Sequence, residues 1–416
     1  MKDHFDIAIV GAGAAGIAAA LRLRGAKLST VLLEARDRVG GRAHTIHTED
    51  GLPLDLGCEW LHSANRNALA APLEQAGFTL DRTPPLWARQ TGNRDFPAAD
   101  QEAFAAAFDA FERRLADAAA KRLEGAAAAY FEPGNRWNPL IDAVSSYFNG
   151  AEFDRVSIMD YAAYEDTEIN WRVREGYGAG IAALAAGLDP VLDCAVTRID
   201  HGSTPVRLST SKGELTADRV ILAVPSTILA DEKIALHPRL PGKLEAAAGL
   251  PLGLANKAFL HLGASGDLPA EGHLFGRTDS ARIGSYLLRP FGRPYIECFF
   301  GGGLAHELEL AGPGAFTAFA IDELAHLLGS DFRRKVRPIV ETAWATDPWA
   351  LGSYSHALPG HAVARADLAA PTDGRLFFAG EATHPTFFST AHGAWESGLR
   401  AADEVLAQVT PKPGDD

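Results

Sequence analysis

The stretch that decides the fold is DIAIVGAGAAGIAAALRLRGAKLSTVLLEA, which runs from Asp6 to Ala35. It opens with a short apolar strand, Asp6–Val10, and passes through the glycine-rich turn GAGAAG into a helix rich in alanine and leucine. A second apolar strand, Thr30–Ala35, follows. This order of strand, turn, helix and strand predicts the start of a parallel sheet, and therefore an α/β fold.

The glycines of the turn have the spacing that is typical of dinucleotide binding. Gly11 allows the tight turn, Gly13 lets the backbone approach a pyrophosphate, and Gly16 lets the helix pack closely on the strand. The start of the helix then offers free N–H groups to the phosphates. Glu34, at the end of the second strand, can accept hydrogen bonds from both ribose hydroxyls.

A second glycine–arginine element follows directly, in the run ARDRVGGRAHT. Gly40 and Gly41 would bring the backbone close to a ligand, while Arg36 and Arg42 could neutralise phosphate. An NAD-dependent enzyme has no need of this second element, so the pattern favours a different dinucleotide.

Composition excludes several other classes of protein. The 416 residues predict about two or three domains. The 39 basic and 53 acidic residues give a net charge of −14, which disfavours nucleic acid as a partner. The three cysteines indicate neither a disulfide framework nor a metal site. We see no signal peptide and no run of ~18 apolar residues, so we expect no membrane span and a cytoplasmic location.

The rest of the chain alternates between helical and strand-like segments. Apolar residues recur every three or four positions in Pro97–Tyr130, which predicts an amphipathic helix. Residues 187–225 read as strands joined by turns. The other predicted strands are Asn256–Gly263, Arg293–Gly303 and Arg375–Ala382, and the other predicted helices are Ala315–Gly329 and Ala394–Val409.

Two long segments, GAGAAGIAAALRLRGAKLSTVLLEARDRVGGRAHT and GRLFFAGEATHPTFFSTAHGAWESGLRAADEVL, resemble the flavin-containing amine oxidase family, which includes monoamine oxidases, polyamine oxidases and flavin histone demethylases. Within this family, the sequence most resembles bacterial polyamine and monoamine oxidases. The resemblance spans nearly the whole chain apart from Pro84–Arg155. Shorter similar segments lie at Gly176–Gly187, Val220–Pro225, Asn256–Leu262 and Trp344–Pro359.

The resemblance implies an α/β, bilobal amine-oxidase fold. A Rossmann-like FAD-binding domain would take residues 1–75, 176–232 and 344–410. An inserted substrate domain would take residues 76–175, mostly helical, and residues 233–343, a mixed sheet. Residues 411–416 would form a flexible tail.

The implied cofactor is FAD. Monoamine oxidases attach their flavin to a cysteine just before the tyrosine that Tyr354 matches, and this chain has Ser353 there, so we expect non-covalent FAD. Glu34 would hold the adenosine ribose, and Val196 would bracket the adenine. Position 57 would require glycine because the flavin ring passes close to the backbone there. The residues expected to contact FAD are Gly11, Gly13, Ala15, Gly16, Glu34, Arg36, Gly41, Arg42, Gly57, Cys58, Val196, Gly380, Glu381, Thr390 and Ala391, and no metal is expected.

Two further matches imply the catalytic residues. Lys257, in ANKAFLHL, resembles the family lysine that holds a water at flavin N5, with a surface lysine as the alternative. Strand alternation puts Lys257, Phe259 and His261 on one face. Tyr354, in DPWALGSYSHALPG, matches an aromatic residue beside the flavin, with a buried core tyrosine as the alternative.

The implied reaction is oxidation of a primary or secondary amine, with diamines and polyamines included. Hydride would pass from the α carbon to flavin N5, the imine would hydrolyse to an aldehyde or ketone, and O2 would reoxidise the flavin to give H2O2. The partners would be the amine and O2, in a monomer or a dimer.

Acidic residues are the expected contacts for a distal ammonium group. Glu59, His62 and Thr390 are the candidate substrate-binding residues. His62 has a structural histidine as its alternative. Glu165 and Asp166 could add a second acidic contact or form a solvated loop.

Three other functions stay open. An L-amino-acid oxidase would need an arginine to clamp the substrate carboxylate, for which Arg172, Arg174 and Arg289 are candidates. A flavin desaturase or isomerase would act on an apolar substrate. A flavoprotein without turnover would act as a binding module.

Overall fold

The computed structural model describes residues 3–87, 89–263 and 268–409, so the predicted tail lies outside the described residues. The strands are β1 (His4–Val10), β2 (Thr30–Leu33), β3 (Thr45–His47), β4 (Pro53–Asp55), β5 (Trp60–Leu61), β6 (Leu80–Asp81), β7 (Trp171–Val173), β8 (Val196–Asp200), β9 (Val206–Thr210), β10 (Gly213–Leu222), β11 (Ala235–His237), β12 (Leu252–Gly253), β13 (Ala255–Leu262), β14 (Gly272–Phe275), β15 (Ser285–Leu288), β16 (Tyr295–Gly301), β17 (Val336–Glu341), β18 (Tyr354–Ser355) and β19 (Leu376–Phe378).

The α-helices of the described residues follow in chain order. They are α1 (Ala14–Leu23), α2 (Ala70–Gln75), α3 (Ala98–Ala120), α4 (Asn138–Asn149), α5 (Ile158–Ala163), α6 (Tyr177–Ala183), α7 (Ser226–Ala230), α8 (Pro241–Ala248), α9 (Gly302–Ala311), α10 (Ala315–Leu328), α11 (Ala364–Ala369) and α12 (Ala391–Leu406). None of them, within the part of the chain that the structure describes, is long and apolar enough to cross a membrane.

The opening unit forms as the sequence predicts. Strand β1 pairs in parallel with β2 on one side and with β10 on the other, and helix α1 connects β1 to β2. The sheet has seven strands, in the order β11-β8-β9-β10-β1-β2, with β19 also paired to β10. The α/β prediction is therefore confirmed, and the first and last parts of the chain meet in one sheet.

The boundary predicted at residue 232 does not coincide with an edge of this sheet. Strand β11 begins at Ala235, yet it pairs in parallel with β8. The seven-stranded sheet therefore extends past that boundary, as far as His237.

A second sheet has five antiparallel strands in the order β14-β15-β16-β13-β17. Its apolar side chains pack against α9 and α10 in one hydrophobic core. Strands β13 and β16 lie side by side at its centre, with Phe259 opposite Glu297. This pairing brings together two segments that lie far apart in the sequence.

The predicted helix Pro97–Tyr130 is shorter than expected. Helix α3 ends at Ala120, and a separate 3-10 turn covers Ala127–Tyr130. Gly125 lies between them at a φ of 142°, a conformation that no helix contains. The apolar stripe of α3, which includes the fully buried Phe111, packs into a helical core together with α4.

Candidate active site

The glycine-rich turn leaves open space at the start of α1. A Cβ on Gly16 would lie 1.8 Å from the carbonyl oxygen of Gly11, so only glycine lets the helix approach the strand this closely. A Cβ on Gly13 would meet nothing nearer than the carbonyl oxygen of Gly40, at 4.0 Å. No side chain caps the N-terminus of α1. Gly13 therefore borders a cradle that a phosphate group would fit.

Glu34 is held in a fixed orientation at the end of β2. The carboxylate is buried, and its two oxygens accept hydrogen bonds from the backbone N–H groups of Ala12, at 2.7 Å, and Arg36, at 2.9 Å. Each carboxylate oxygen keeps a further lone pair for a ribose hydroxyl. Val196, the predicted adenine neighbour, is the buried first residue of β8.

The second glycine–arginine element packs directly on the first. The backbone N–H of Gly40 donates to the carbonyl oxygen of Ala12 at 2.8 Å, and a Cβ on Gly41 would lie 3.4 Å from Gly13 Cα. Arg36 makes a bidentate ion pair with Asp347, at 2.8 and 2.7 Å. Its charge is therefore already partnered, which the sequence did not indicate.

Arg42 joins the first and last parts of the chain. Its Nη1 donates to the carbonyl oxygen of Ser353 at 2.7 Å and to Glu381 Oε1 at 2.9 Å. Burial opposes ionisation of Glu381, but Arg42 and the hydroxyl of Ser355 hold the pKa of its carboxyl below the usual value. Two residues predicted to contact FAD thus form one ion pair.

Helix α12 begins at Ala391, three residues before the predicted start at Ala394. Thr390 is its N-cap: Oγ1 accepts from the backbone N–H of Gly393 at 3.0 Å and donates to the carbonyl oxygen of Phe387 at 2.6 Å. Ala391 is the first helical residue, and the N–H of Gly380 donates to Ser397 Oγ at 2.8 Å. The hydroxyl of Thr390 serves the cap, so its contact with a substrate would have to be through the methyl group or the backbone.

These residues fit a dinucleotide that spans the start of α1 and the start of α12. The open cradle at Gly13 would hold the pyrophosphate at a helix N-terminus. The carboxylate of Glu34 would hold the ribose, and α12 would direct its positive end toward the ring system. Ala15, another predicted contact, is buried in the first turn of α1.

Lys257 is buried rather than exposed. The residue is 4 % exposed, and its Nζ lies 2.7 Å from Glu297 Oε1, 3.2 Å from Glu59 Oε2 and 3.0 Å from the carbonyl oxygen of Asp55. Its ammonium also faces the ring of Phe259, at 6.0 Å, so both side chains lie on the predicted common face of β13. The alternative of a surface lysine is therefore wrong.

Glu297 was missed by the sequence reasoning. It lies in the middle of β16, in the apolar run YIECFF, and is buried beside Lys257. Burial and then the negative charge of Glu59 raise the pKa of Glu297 to about 8. Burial alone would also raise the pKa of Glu59, but Lys257 and then Arg172 outweigh it and lower that pKa. The sequence did carry one signal for a functional role of Glu297, namely a glutamate within a run of otherwise apolar strand residues.

In the segment from Asp55 to Glu59, the predicted reason for glycine at position 57 was incomplete. A Cβ on Gly57 would lie 1.7 Å from the carbonyl oxygen of Arg42, so the protein backbone, and not only a flavin ring, requires glycine there. The Asp55 carboxylate accepts from the backbone N–H groups of Tyr177 and Gly178, at 2.8 and 3.0 Å. Burial raises the pKa of the Cys58 thiol to about 12, which agrees with a small neutral side chain.

His62 is a hydrogen-bonded, partly buried histidine. Its Nδ1 lies 2.7 Å from Asn170 Oδ1, and burial lowers its pKa, so the ring is neutral at pH 7. Glu165 is instead about half exposed and pairs with Arg66 at 2.8 Å. Asp166 accepts from the backbone N–H of Glu168 at 2.8 Å. The charge of Asp166 opposes the lowering of the His62 pKa, and the backbone N–H of Thr167 donates to Ser63 Oγ at 3.2 Å, so the acidic loop lies beside the His62 segment.

Tyr354 lies in β18, next to Ser353. Its hydroxyl donates to the carbonyl oxygen of Tyr147 at 2.5 Å, and burial raises its pKa. The phenol is therefore neutral, and its hydrogen bond fixes the ring. Ser353 Oγ donates to the carbonyl oxygen of Ala255 at 2.8 Å and accepts from the N–H of the same residue at 2.9 Å.

The candidate carboxylate-clamping arginines already have partners. Arg172 is buried between the rings of Trp60, at 4.8 Å, and Phe291, at 4.1 Å. Its Nη2 pairs with Glu271 at 2.7 Å and with Asp81 at 3.6 Å. Arg174 approaches Asp81 at 3.8 Å, and Arg289 donates to the carbonyl oxygen of Leu268 at 2.7 Å.

Within the described residues, no group of three or more potential metal ligands is present.

The dinucleotide cradle and the buried lysine, in this fold, define a flavoprotein oxidoreductase. The chain belongs to the flavin-containing amine oxidoreductase family, whose sequence profile matches residues 14–406, and it is a flavin-dependent amine oxidoreductase whose cofactor is FAD.

Relatives of known name cover almost the full chain. Polyamine oxidase 3 of Oryza sativa subsp. japonica is 32% identical and polyamine oxidase 4 of the same plant 30% identical; each match covers 98% of this chain and 90% of the relative. Among solved structures, a variant of putrescine oxidase has a TM-score of 0.78 at 22% identity, covering 98% of this chain and 99% of that one. Cyclohexylamine oxidase from Brevibacterium oxydans IH-35A has a TM-score of 0.77 at 22% identity, with the same coverage. These two structures support the amine-oxidase fold.

Proposed function

We propose that this protein oxidises a diamine or polyamine, with O2 as the electron acceptor and H2O2 as a product. The observation that carries the proposal is the buried cluster of Lys257 with two carboxyl groups, Glu59 and Glu297. The cluster holds more acidic groups than cations, so it suits a substrate that brings a second ammonium. The polyamine oxidases at 30% and 32% identity support the same class of substrate.

Bound FAD supplies the acceptor for the hydride that leaves the α carbon of the amine. In the proposed mechanism, Lys257 places a fixed positive charge beside the reaction. Tyr354 forms an aromatic wall that favours an amine and excludes water. We assign Glu59 to hold a distal ammonium, and His62 to accept or donate one hydrogen bond to the amine as a neutral ring.

The two rival activities have less support. An amino-acid oxidase needs an arginine free to clamp a carboxylate, and Arg172, Arg174 and Arg289 would each have to leave a partner first. A desaturase for an apolar substrate would gain nothing from buried carboxyl groups beside Lys257, because an uncharged substrate cannot offset their desolvation.

The proposed function can be tested by anaerobic mixing of the holoprotein with 1,4-diaminobutane, spermidine, n-pentylamine and L-amino acids. We expect the diamine and the polyamine to bleach the visible absorption of the flavin fastest, and admission of air to restore it with release of H2O2. If L-amino acids alone bleach the flavin, the protein is an amino-acid oxidase. If none of the compounds does, the proposed substrate class is wrong.

We also propose that FAD is held without a covalent bond. Ser353 occupies the position of the flavin-linking cysteine of monoamine oxidases, and its hydroxyl is engaged with the backbone of Ala255. A serine hydroxyl is a much weaker nucleophile than a cysteine thiolate. Denaturation in acid followed by filtration should leave all of the flavin in the filtrate, and yellow colour retained on the precipitated chain would contradict the proposal.

A further inference from the structure

The ammonium of Lys257 has no donor left over. A lysine ammonium has three N–H donors. Here the acceptors around Nζ are the carbonyl oxygen of Asp55 at 3.0 Å, Glu59 Oε2 at 3.2 Å and Glu297 Oε1 at 2.7 Å. Lys257 can therefore serve a water or another acceptor at the flavin only when one of these three partners withdraws.

The two carboxyl groups differ in how firmly they are held. Glu297 lies in β16 at the centre of the five-stranded sheet, and β16 is paired along its length with β13, which carries Lys257. Glu59 lies in the irregular segment between β4 and β5. Its contact with Lys257 is also the longer one, 3.2 Å against 2.7 Å. Glu59 is therefore the partner that can leave, while the sheet keeps Glu297 in place.

The charge of the cluster points the same way. Glu59 and Glu297 share the Lys257 ammonium in a buried site, and the charge of Arg172 also acts on Glu59. Even so, burial and the charge of Glu59 raise the pKa of Glu297 to about 8, so the pair retains a proton near neutral pH. A second cation at the cluster would allow both carboxyl groups to ionise. The site is thus suited to one further ammonium, and Glu59, in the irregular segment, is the carboxylate that would reach it.

We propose that Glu297 is a positioning residue that anchors the Lys257 ammonium, and that this leaves Glu59 free to turn from Lys257 to the second ammonium of the substrate. The part that concerns Glu59 rests on the proposed function, whereas the anchoring of Lys257 by Glu297 does not. The two carboxyl groups therefore have different roles, although both contact the same lysine.

The test compares Glu297→Gln with Glu59→Gln in the holoprotein. We expect Glu297→Gln to lower kcat by roughly 10- to 100-fold, and equally for 1,4-diaminobutane and n-pentylamine, because Lys257 is misplaced for both. Glu59→Gln should instead raise KM for the diamine at least about 10-fold more than KM for the monoamine. Glu297→Asp, which keeps the charge, should recover part of the lost rate.

Two further measurements isolate the effect through Lys257. Adding Glu297→Gln to Lys257→Met should lower the rates of the two flavin half-reactions no further, because the group that Glu297 positions is already gone. The visible spectrum of the oxidised flavin should change alike in Glu297→Gln and in Lys257→Met, and this holds even if no amine is turned over. Glu323→Gln is the matched control: Glu323 is also largely buried beside this sheet but bonds Tyr286 and Gly284 instead of Lys257.

A selective rise of the diamine KM in Glu297→Gln would overturn the proposal, since Glu297 would then bind the substrate ammonium itself. Additive losses in the double variant, or a flavin spectrum in Glu297→Gln identical to that of Glu323→Gln, would do the same. If the wild-type flavin is bleached by no amine, the proposed function fails, and the spectra alone decide whether Glu297 anchors Lys257.

Discussion

Replacing Lys257 by methionine is expected to slow at least one flavin half-reaction by about 100-fold while FAD remains bound. Methionine keeps the length and apolar stem of the side chain but removes the charge and all three donors. The FAD cradle at Gly13 and Glu34 does not involve Lys257, so binding of the cofactor should survive. Anaerobic reduction by 1,4-diaminobutane and reoxidation by O2, each followed in a stopped-flow instrument, measure the two steps separately.

The same substitution should make the stability of the protein depend on pH in a predictable direction. Without the ammonium, burial and mutual repulsion raise the pKa of both Glu59 and Glu297 above the unfolded value. A carboxyl whose pKa is raised in the folded state contributes stability below its unfolded pKa and loses it as the pH rises through its folded pKa. The loss in free energy of unfolding relative to wild type should therefore be larger at pH 8 than at pH 5.5.

Lys243→Met is the control for the predicted slowing of the flavin half-reactions. Lys243 donates to backbone carbonyl oxygens, including that of Leu368 at 3.1 Å, and burial lowers its pKa to about 8. It is a partly buried lysine in no ion pair with a carboxylate among the described residues. Its variant should keep wild-type flavin kinetics. Equal kinetics for wild type and Lys257→Met would remove the assigned role of Lys257.

The local features of the fold could be predicted because they depend on neighbouring residues. Gly16 requires glycine because of the carbonyl oxygen of Gly11, a few residues earlier, and the alternation that places Lys257 beside Phe259 is a property of one strand. These predictions needed no knowledge of what packs against each element.

The pairings between distant segments could not be predicted in the same way. Glu297 reaches Lys257 because β16 pairs with β13 in one particular register, and nothing in either strand alone fixes that register. The reason for Gly57 was incomplete because the carbonyl oxygen of Arg42, which it contacts, belongs to another segment. A single sequence shows which residues can carry chemistry, but the partner that sets their charge comes from the tertiary fold.

Replacing Asp160 by asparagine should lower the free energy of unfolding by about 3–5 kcal/mol, because it leaves a buried guanidinium without its counter-charge. Asp160 in α5 and Arg365 in α11 are almost fully buried and form a bidentate pair, with Nε to Oδ1 at 2.6 Å and Nη2 to Oδ2 at 2.8 Å. Asp160 Oδ2 also accepts from the backbone N–H of Ala357, at 2.9 Å. The guanidinium carbon lies 3.6 Å from the ring centroid of Phe388.

The Asp160–Arg365 pair connects the helical region to the FAD side of the protein, so its loss should also destabilise the structure around the FAD site. Arg365 Nη1 donates to Ser355 Oγ at 2.9 Å, and that hydroxyl donates to Glu381 Oε2 at 2.6 Å. Denaturant unfolding of the holoprotein, followed by circular dichroism and by flavin fluorescence, measures both ends of the connection. We expect the flavin signal of Asp160→Asn to be lost at a lower denaturant concentration than in wild type.

Asp403→Asn is the matched control for this variant. Asp403 pairs with Arg22 at 2.6 Å, the same separation as the shortest contact of Asp160, but both side chains are about half exposed. Because water solvates both charges, that substitution should cost less than about 1 kcal/mol. A loss for Asp160→Asn no larger than that of Asp403→Asn would mean that the buried guanidinium finds another partner, and that the Asp160–Arg365 pair does not hold the two parts of the protein together.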